Sequence, residues 1–197
     1  MNQVRDRELR DFFIYVIEVL ENNDIPYMVV GGFAAIFYGE PRLTIDVDIV
    51  ADMQSRHVKP FIASFASPDY YASEEGIRDA LLRCYPFNVI QSFTGAKIDV
   101  VPLPKDIFTR LAFQRRQRQI YDAAGHTAFF ITAEDIVLAK LMAYRETNSD
   151  KHLNDARGVL TMQWGLLNLD AIRRGANGAG MLRELENLIE SARRDLE

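Results

Sequence analysis

Residues Val29 to Asp48 read VVGGFAAIFYGEPRLTIDVD, and two features of this stretch work against an ordinary core. A double glycine, Gly31-Gly32, ends one apolar run, and Asp46 and Asp48 stand one residue apart inside another. Glycine costs backbone entropy, and a carboxylate in an apolar strand must find a cation or hydrogen bonds before it can be buried. Residues so unfavourable for packing point to a site.

In period two, the second run places Leu43, Ile45, Val47 and Ile49 on one face and Arg42, Thr44, Asp46 and Asp48 on the other. Two carboxylates at adjacent same-face positions repel each other at neutral pH unless something positive sits between them. A divalent cation answers this, because Mg²⁺ takes one or two carboxylates and completes its shell with water and substrate phosphates. The segment Lys97-Ile98-Asp99-Val100-Val101 supplies a third acid, on the condition that Asp99 lies on a strand beside Asp46 and Asp48. Three carboxylates so placed can hold two metals that clamp the attacking and leaving oxygens of a phosphoryl transfer, with one acid helping to deprotonate the nucleophile. The other reading of Asp99 alone is an edge-strand acid facing water. A Gly-Gly turn between strand and helix lets backbone N–H groups approach an anion, and the following helix directs its positive end at the same place.

Working outward, apolar positions at Leu9, Phe12, Phe13, Val16, Ile17 and Leu20 predict a helix over 5–22. A strand follows over 27–30, then the Gly31-Gly32 turn, a short helix from Phe33 to Tyr38 closed by Gly39, and a strand over 43–50. Helical patterns at 55–66 and 74–83 precede two expected hairpins, 87–92 with 96–103 and 118–121 with 127–131. From Thr132, with Asp135 at its capping-box position, everything reads as helix: 133–146, 150–163, 168–174 and 181–195. The expectation is an α/β protein, a mixed β-sheet flanked by helices over 1–131, with a C-terminal helical region over 132–197 packed on it.

Composition narrows the function. The net charge of −5 argues against a protein that coats nucleic acid through its whole surface. Arg110, Arg115, Arg116 and Arg118 fall in a stretch without acids, and read either as a phosphate-binding or RNA-binding patch or as a charge-protected strand edge. The single cysteine, Cys84, allows no disulfide within the chain and is expected to be a small core residue. The charged start, MNQVRDRELRDFF, has no signal-peptide stretch and no window reaches the length of a membrane span, so a cytoplasmic protein with no membrane contact is expected. His57, His126 and His152 do not cluster. Phe12, Phe13 and Trp164 read as packing residues, and the stripe Leu182, Leu185, Leu188, Ile189, Ala192 as core or an oligomer contact.

Gly31-Gly32, Asp46-Val-Asp48 and Asp99 together resemble the nucleotidyltransferase superfamily typified by DNA polymerase β and the aminoglycoside nucleotidyltransferases. Its pattern is Gly-Gly or Gly-Ser, a spacer, Asp-x-Asp on a strand and a third acid on a later strand. From Arg42-Leu-Thr44-Ile-Asp46-Val-Asp48 through the helix carrying Lys140, over roughly residues 10–160, the chain is similar to a small bacterial branch that includes abortive-infection-type nucleotidyltransferase toxins.

The resemblance implies a minimal nucleotidyltransferase fold that uses two Mg²⁺ ions to transfer NMP from an NTP to a hydroxyl of a tRNA end, a protein or a small molecule, with an antitoxin as a further partner. It implies Asp46, Asp48 and Asp99 as metal ligands, Asp99 as the aid to proton removal, and Gly31 and Gly32 along the triphosphate. Arg42 and Thr44 are phosphate contacts, or Arg42 pairs with Glu40. Lys140, rising from the apolar helix of ITAEDIVLAKLMAYRE, either contacts the triphosphate or snorkels to water. Asp155 resembles a recurrent family acid, though an ion pair with Arg145 accounts for it equally. The alternative function is a noncatalytic nucleotide-binding or partner-binding regulatory module with the same fold.

Overall fold

The computed structural model describes residues 2–42 and 46–196. Leu43, Thr44 and Ile45, expected to open the second strand, lie outside the described residues. By contact the chain divides into two units, Met1–Val30 with Thr44–Phe130, and Gly31–Leu43 with Ile131–Glu197.

The first unit holds the sheet. Its order is α1 (Asn2–Asn22), β1 (Tyr27–Val30), β2 (Asp46–Ala51), a 3₁₀ turn (Ser55–His57), α3 (Val58–Ala63), β3 (Tyr70–Tyr71), α4 (Glu74–Arg83), β4 (Phe87–Gln91), β5 (Lys97–Pro102), α5 (Ile107–Arg115), β6 (Gln117–Ile120) and β7 (Thr127–Phe130). The strands form one mixed sheet in the order β3-β4-β5-β2-β1-β7-β6. The β2–β5 and β1–β7 pairs are parallel, and the other neighbours run antiparallel.

Alternation in the central strands explains this order. Val47 and Ile49 on β2, Ile98 and Val100 on β5, and Val89 on β4 are fully or almost fully buried, each worth roughly 1.5–3 kcal/mol of transfer from water. The apolar stripe of α1 is buried through Phe12, Phe13, Val16, Ile17 and Leu20. Aromatic contacts extend this core, with Phe12 stacked on Tyr70 at 5.8 Å and Phe13 edge-on to Tyr121 at 5.1 Å between ring centroids.

The second unit is helical: α2 (Gly31–Tyr38), α6 (Ala133–Thr147), α7 (Asp150–Met162), α8 (Leu169–Gly178) and α9 (Leu182–Arg194). Thr132 caps α6 as expected, its hydroxyl accepting from the Asp135 N–H at 3.2 Å. The end of α2 meets α7 backbone to backbone. A Cβ on Gly39 would lie 2.7 Å from the Ala35 carbonyl oxygen and 2.9 Å from the Val159 nitrogen, so only glycine fits there. On α9 the expected stripe is real: Leu185, Ile189 and Ala192 are buried, and Leu182 and Leu188 half-buried.

Several expectations change. Gly31-Gly32 is not a turn ahead of a helix but the first two residues of α2, Gly31 having a left-handed φ of 68°. The 55–66 pattern is a 3₁₀ turn followed by the shorter α3. Helix α5 and the two-residue strand β3 were not anticipated, and α8 runs on to Gly178. Cys84 is exposed rather than a core residue, because it is the left-handed C-cap of α4 with φ 55°. Trp164 is half-buried in the turn after α7. Among the described residues no helix is long and apolar enough to cross a membrane.

Candidate active site

The parallel pairing of β2 with β5 sets Asp48 opposite Asp99 and Asp46 opposite Lys97. In-register residues on neighbouring strands share a face about 4.8 Å apart. Asp46, Asp48, Lys97 and Asp99 therefore stand on one face, while Val47, Ile49, Ile98 and Val100 are buried on the other. The condition placed on Asp99 by the sequence is met, and the edge-strand reading is not: β5 lies between β4 and β2, with Asn88 opposite Asp99 on its far side.

The electrostatics follow from that register. At an effective dielectric of 20, like unit charges about 5 Å apart repel by ~3 kcal/mol, so acids gathered on one face demand a cation. One is built in. The Lys97 ammonium meets one Asp99 oxygen, Oδ2, at 2.8 Å. The hydrogen bond to Asp99 holds the lysine above the usual range for its type, against partial burial and with help from the charges of Asp99, Asp46 and Asp48. The other oxygen, Asp99 Oδ1, is buried and has no hydrogen-bond partner among the described residues.

Among the described residues no group of three or more His, Cys, Asp or Glu side chains is arranged to hold a metal ion as it stands. The donor chemistry nonetheless fits a hard divalent ion: the set is all carboxylate oxygen, and Asp99 Oδ1 has unused acceptor capacity in a place where leaving it unused is costly. Thr44 lies outside the described residues.

On the other side of Asp48 its register partner is Val30, the last residue of β1. The chain passes from Val30 directly into Gly31 and α2.

Within the helical unit Asp155 organises the remaining expected residues. Its carboxylate accepts from Arg42 Nε at 2.7 Å and Nη2 at 2.9 Å, and pairs with the Lys140 ammonium at 2.7 Å. The Asp155 side chain is only 4% exposed and that of Lys140 7%. Lys140 thus does not snorkel to water; its stem runs among apolar neighbours on α6 and its charge ends on a carboxylate. Arg42 is held by Asp155, and Arg145 donates to the Ala179 carbonyl instead of pairing with Asp155. Burial opposes ionisation of Asp155, but the hydrogen bonds from Arg42 and Lys140 outweigh it and keep the carboxyl below the usual range. Next to this group His152 has a buried Nδ1 without a hydrogen-bond partner among the described residues, and burial together with Lys140 draws its pKa down.

The arginine-rich segment is largely tied to the protein. Arg110 lies on α5, where its Nε donates to the Pro104 carbonyl. The Arg116 guanidinium stacks over Phe113 at 4.1 Å and Phe129 at 5.2 Å. Arg118, on the edge strand β6, lies 4.6 Å from the centre of Phe129 and pairs with Glu21 at 2.8 Å. Arg116, Arg118, Glu21 and Asp24 line a cleft of about 350 Å³ with Tyr27 at its edge. Tyr27 pairs with Ala51, at the end of β1 away from the Val30–Asp48 pair.

Two roles escaped the sequence reading. Lys97 sits two residues before Asp99 in a strand of period two, so its place on the acid face was written in the sequence. The Arg42–Asp155 pair joins residues 113 positions apart and has no local signal.

No protein-family model matches the chain, and no curated protein matches it. Solved structures do. The solution structure of the antibiotic-resistance factor ANT(2'')-Ia is similar at a TM-score of 0.53 and 12% identity, over 92% of this chain and 97% of that one. The crystal structure of an antigenic nucleotidyltransferase-like protein from Paracoccidioides brasiliensis is similar at a TM-score of 0.54 and 17% identity, over 93% of each chain. The α/β fold with a mixed sheet and flanking helices is thus one that nucleotidyltransferase-like proteins share with this chain.

Proposed function

We propose that the chain is a divalent-metal-dependent nucleotidyltransferase that moves NMP from an NTP to a hydroxyl acceptor. The observation that carries the reading is the register of β2 against β5, which puts Asp48 opposite Asp99 with Asp46 two residues along the same face. The fold shared with nucleotidyltransferase-like structures agrees with it.

In this reading Asp46, Asp48 and Asp99 hold Mg²⁺, two ions in all. When bound, the metal supplies Lewis-acid stabilisation of the phosphate oxygens. Asp99 takes the proton of the acceptor hydroxyl as its oxygen bonds to the α-phosphorus and the bond to the β-phosphate oxygen breaks, releasing pyrophosphate. Binding of the triphosphate is proposed for the backbone N–H groups of Gly31 and Gly32 and for Arg42, Thr44 and Lys140. These roles rest on the family resemblance and, for the glycines, on the passage of β1 directly into α2.

The finer assignment, to the abortive-infection-type toxin branch, rests on the stretch Arg42–Asp48 and the helix carrying Lys140. It entails a cognate antitoxin protein and a tRNA, protein or small-molecule acceptor. Growth arrest on expression, relieved by Asp48→Asn, is the outcome that supports it.

A noncatalytic nucleotide-binding module is the second reading, and the observation in its favour is Lys97, whose ammonium already satisfies part of Asp99. Calorimetry separates the two. NTP binding that requires Mg²⁺ and is lost in Asp46→Asn supports the transferase, whereas Mg²⁺-independent NTP binding retained in that variant supports the module.

A further inference from the structure

We infer that Lys97 is a resident counter-ion of the carboxylate site, one that competes with divalent metal for Asp99 and sets how tightly the metal is held. The inference rests on the metal-site reading above and assigns to Lys97 a role within it.

Three observations converge on this lysine. First, its position is fixed by the backbone: opposite Asp46 on the parallel neighbour strand, and on the same face as Asp48 and Asp99. Secondly, its ammonium engages Asp99 Oδ2 at 2.8 Å, while Oδ1 of the same carboxylate is buried without a hydrogen-bond partner among the described residues. A lysine placed for simple structural neutralisation leaves no reason to bury an acceptor unused. A carboxylate shared between a lysine on one oxygen and an ion on the other accounts for both. Thirdly, the lysine side chain is 39% exposed against 20% for Asp99, so its flexible stem has solvent into which to withdraw.

The consequences are those of two cations sharing one set of acids. A positive charge a few ångströms from a bound divalent ion weakens that ion's binding, the more so the less it withdraws. The same charge relieves repulsion among the acids when the ion is absent, so the strands keep their register through metal exchange. Lys97 is therefore a positioning residue for Asp99 and a modulator of metal affinity. The site exchanges metal readily at the cost of holding it less tightly.

Direct metal binding to the full chain tests this without recourse to activity. Mn²⁺ affinity is measured by electron paramagnetic resonance of the free ion, for wild type, Lys97→Met, Lys97→Arg and Asp48→Asn, and thermal melting is recorded with and without Mn²⁺. Lys97→Met is expected to bind Mn²⁺ on the order of tenfold more tightly than wild type. It should also melt lower than wild type without metal and gain more from adding it, while Lys97→Arg, which keeps the charge, stays within about threefold of wild type. Equal or weaker binding by a folded Lys97→Met overturns the counter-ion role and leaves the metal site standing, since Asp48→Asn still loses affinity. Absence of Mn²⁺ binding in wild type and Lys97→Met alike overturns the metal-site reading and this inference with it. Should Lys97→Met fail to fold, Lys97→Gln carries the same expectation.

Discussion

Asp48 and Asp99 face each other across two parallel strands, in register, and Asp99 carries a buried oxygen with no hydrogen-bond partner among the described residues. Evolution of a stable sheet alone would not retain that pair. Like charges opposite one another are destabilising, and an unsatisfied buried acceptor costs about 1–3 kcal/mol. In the proposed function the pair belongs to a site whose stability has been given up for binding.

Asp48→Asn is therefore expected to separate function from fold. Label transfer from an NTP should fall on the order of 100-fold or more, the loss expected when a metal ligand that stabilises transition-state charge is removed. The unfolding free energy should stay level or rise, by up to about 1 kcal/mol, because one repulsive charge is gone. Transfer assays and urea melts on the same preparation measure both.

Asp155 shows the opposite behaviour. It pairs with both Arg42 and Lys140 from a buried position, so Asp155→Ala takes the carboxylate away from the buried Lys140 ammonium. The expected loss is about 3 kcal/mol in urea unfolding. The double variant Asp155→Leu with Lys140→Met should recover a substantial part of that loss, since both buried charges are gone and the remaining Arg42 side chain is 29% exposed to water.

The same residue sets an acid limit. The folded pKa of Asp155 is depressed relative to the unfolded value of about 3.9. Its contribution to stability is thus complete above that value and is lost as pH falls through the lower folded pKa. Below about pH 4 the wild type should lose stability faster than Asp155→Asn, and the two urea-midpoint curves should converge with falling pH. Parallel curves would show that Asp155 is not responsible.

Gly39→Ala is expected to destabilise by roughly 1–3 kcal/mol. The added Cβ would press on the Ala35 carbonyl oxygen and on the Val159 nitrogen, both backbone atoms that cannot turn aside. Gly95→Ala provides the contrast: nothing lies within 4 Å of its Cβ, and only its φ of 69° opposes the change.

The sheet's centre was legible because its strands obey a strict period: Val47 and Ile49 against Asp46 and Asp48, Ile98 and Val100 against Lys97 and Asp99. The adjacency of β2 and β5 was a condition the chemistry imposed on the sequence reading, and the parallel register meets it. Helix α5 was hidden by arginines that broke its apolar pattern, although Asp106 marks its start by accepting from the Thr109 N–H at 2.8 Å. Cys84 escaped because a small apolar residue reads as core, whereas here it takes the left-handed position that ends α4. Arg42 was assigned to a strand face or to Glu40, its near neighbour. Its pairing with Asp155, which neither expectation included, is set by tertiary packing of α7 within the helical unit.

Nucleotidyl transfer at Asp46, Asp48 and Asp99 is tested by transfer of label from α-³²P NTPs in the presence of Mg²⁺ and a cell extract. Label should enter an acceptor with wild-type protein, with release of pyrophosphate, and should fail to do so with Asp46→Asn, Asp48→Asn or Asp99→Asn, or when the metal is chelated. Transfer undiminished in these variants, or no transfer from any of the four NTPs by folded wild-type protein, would contradict it.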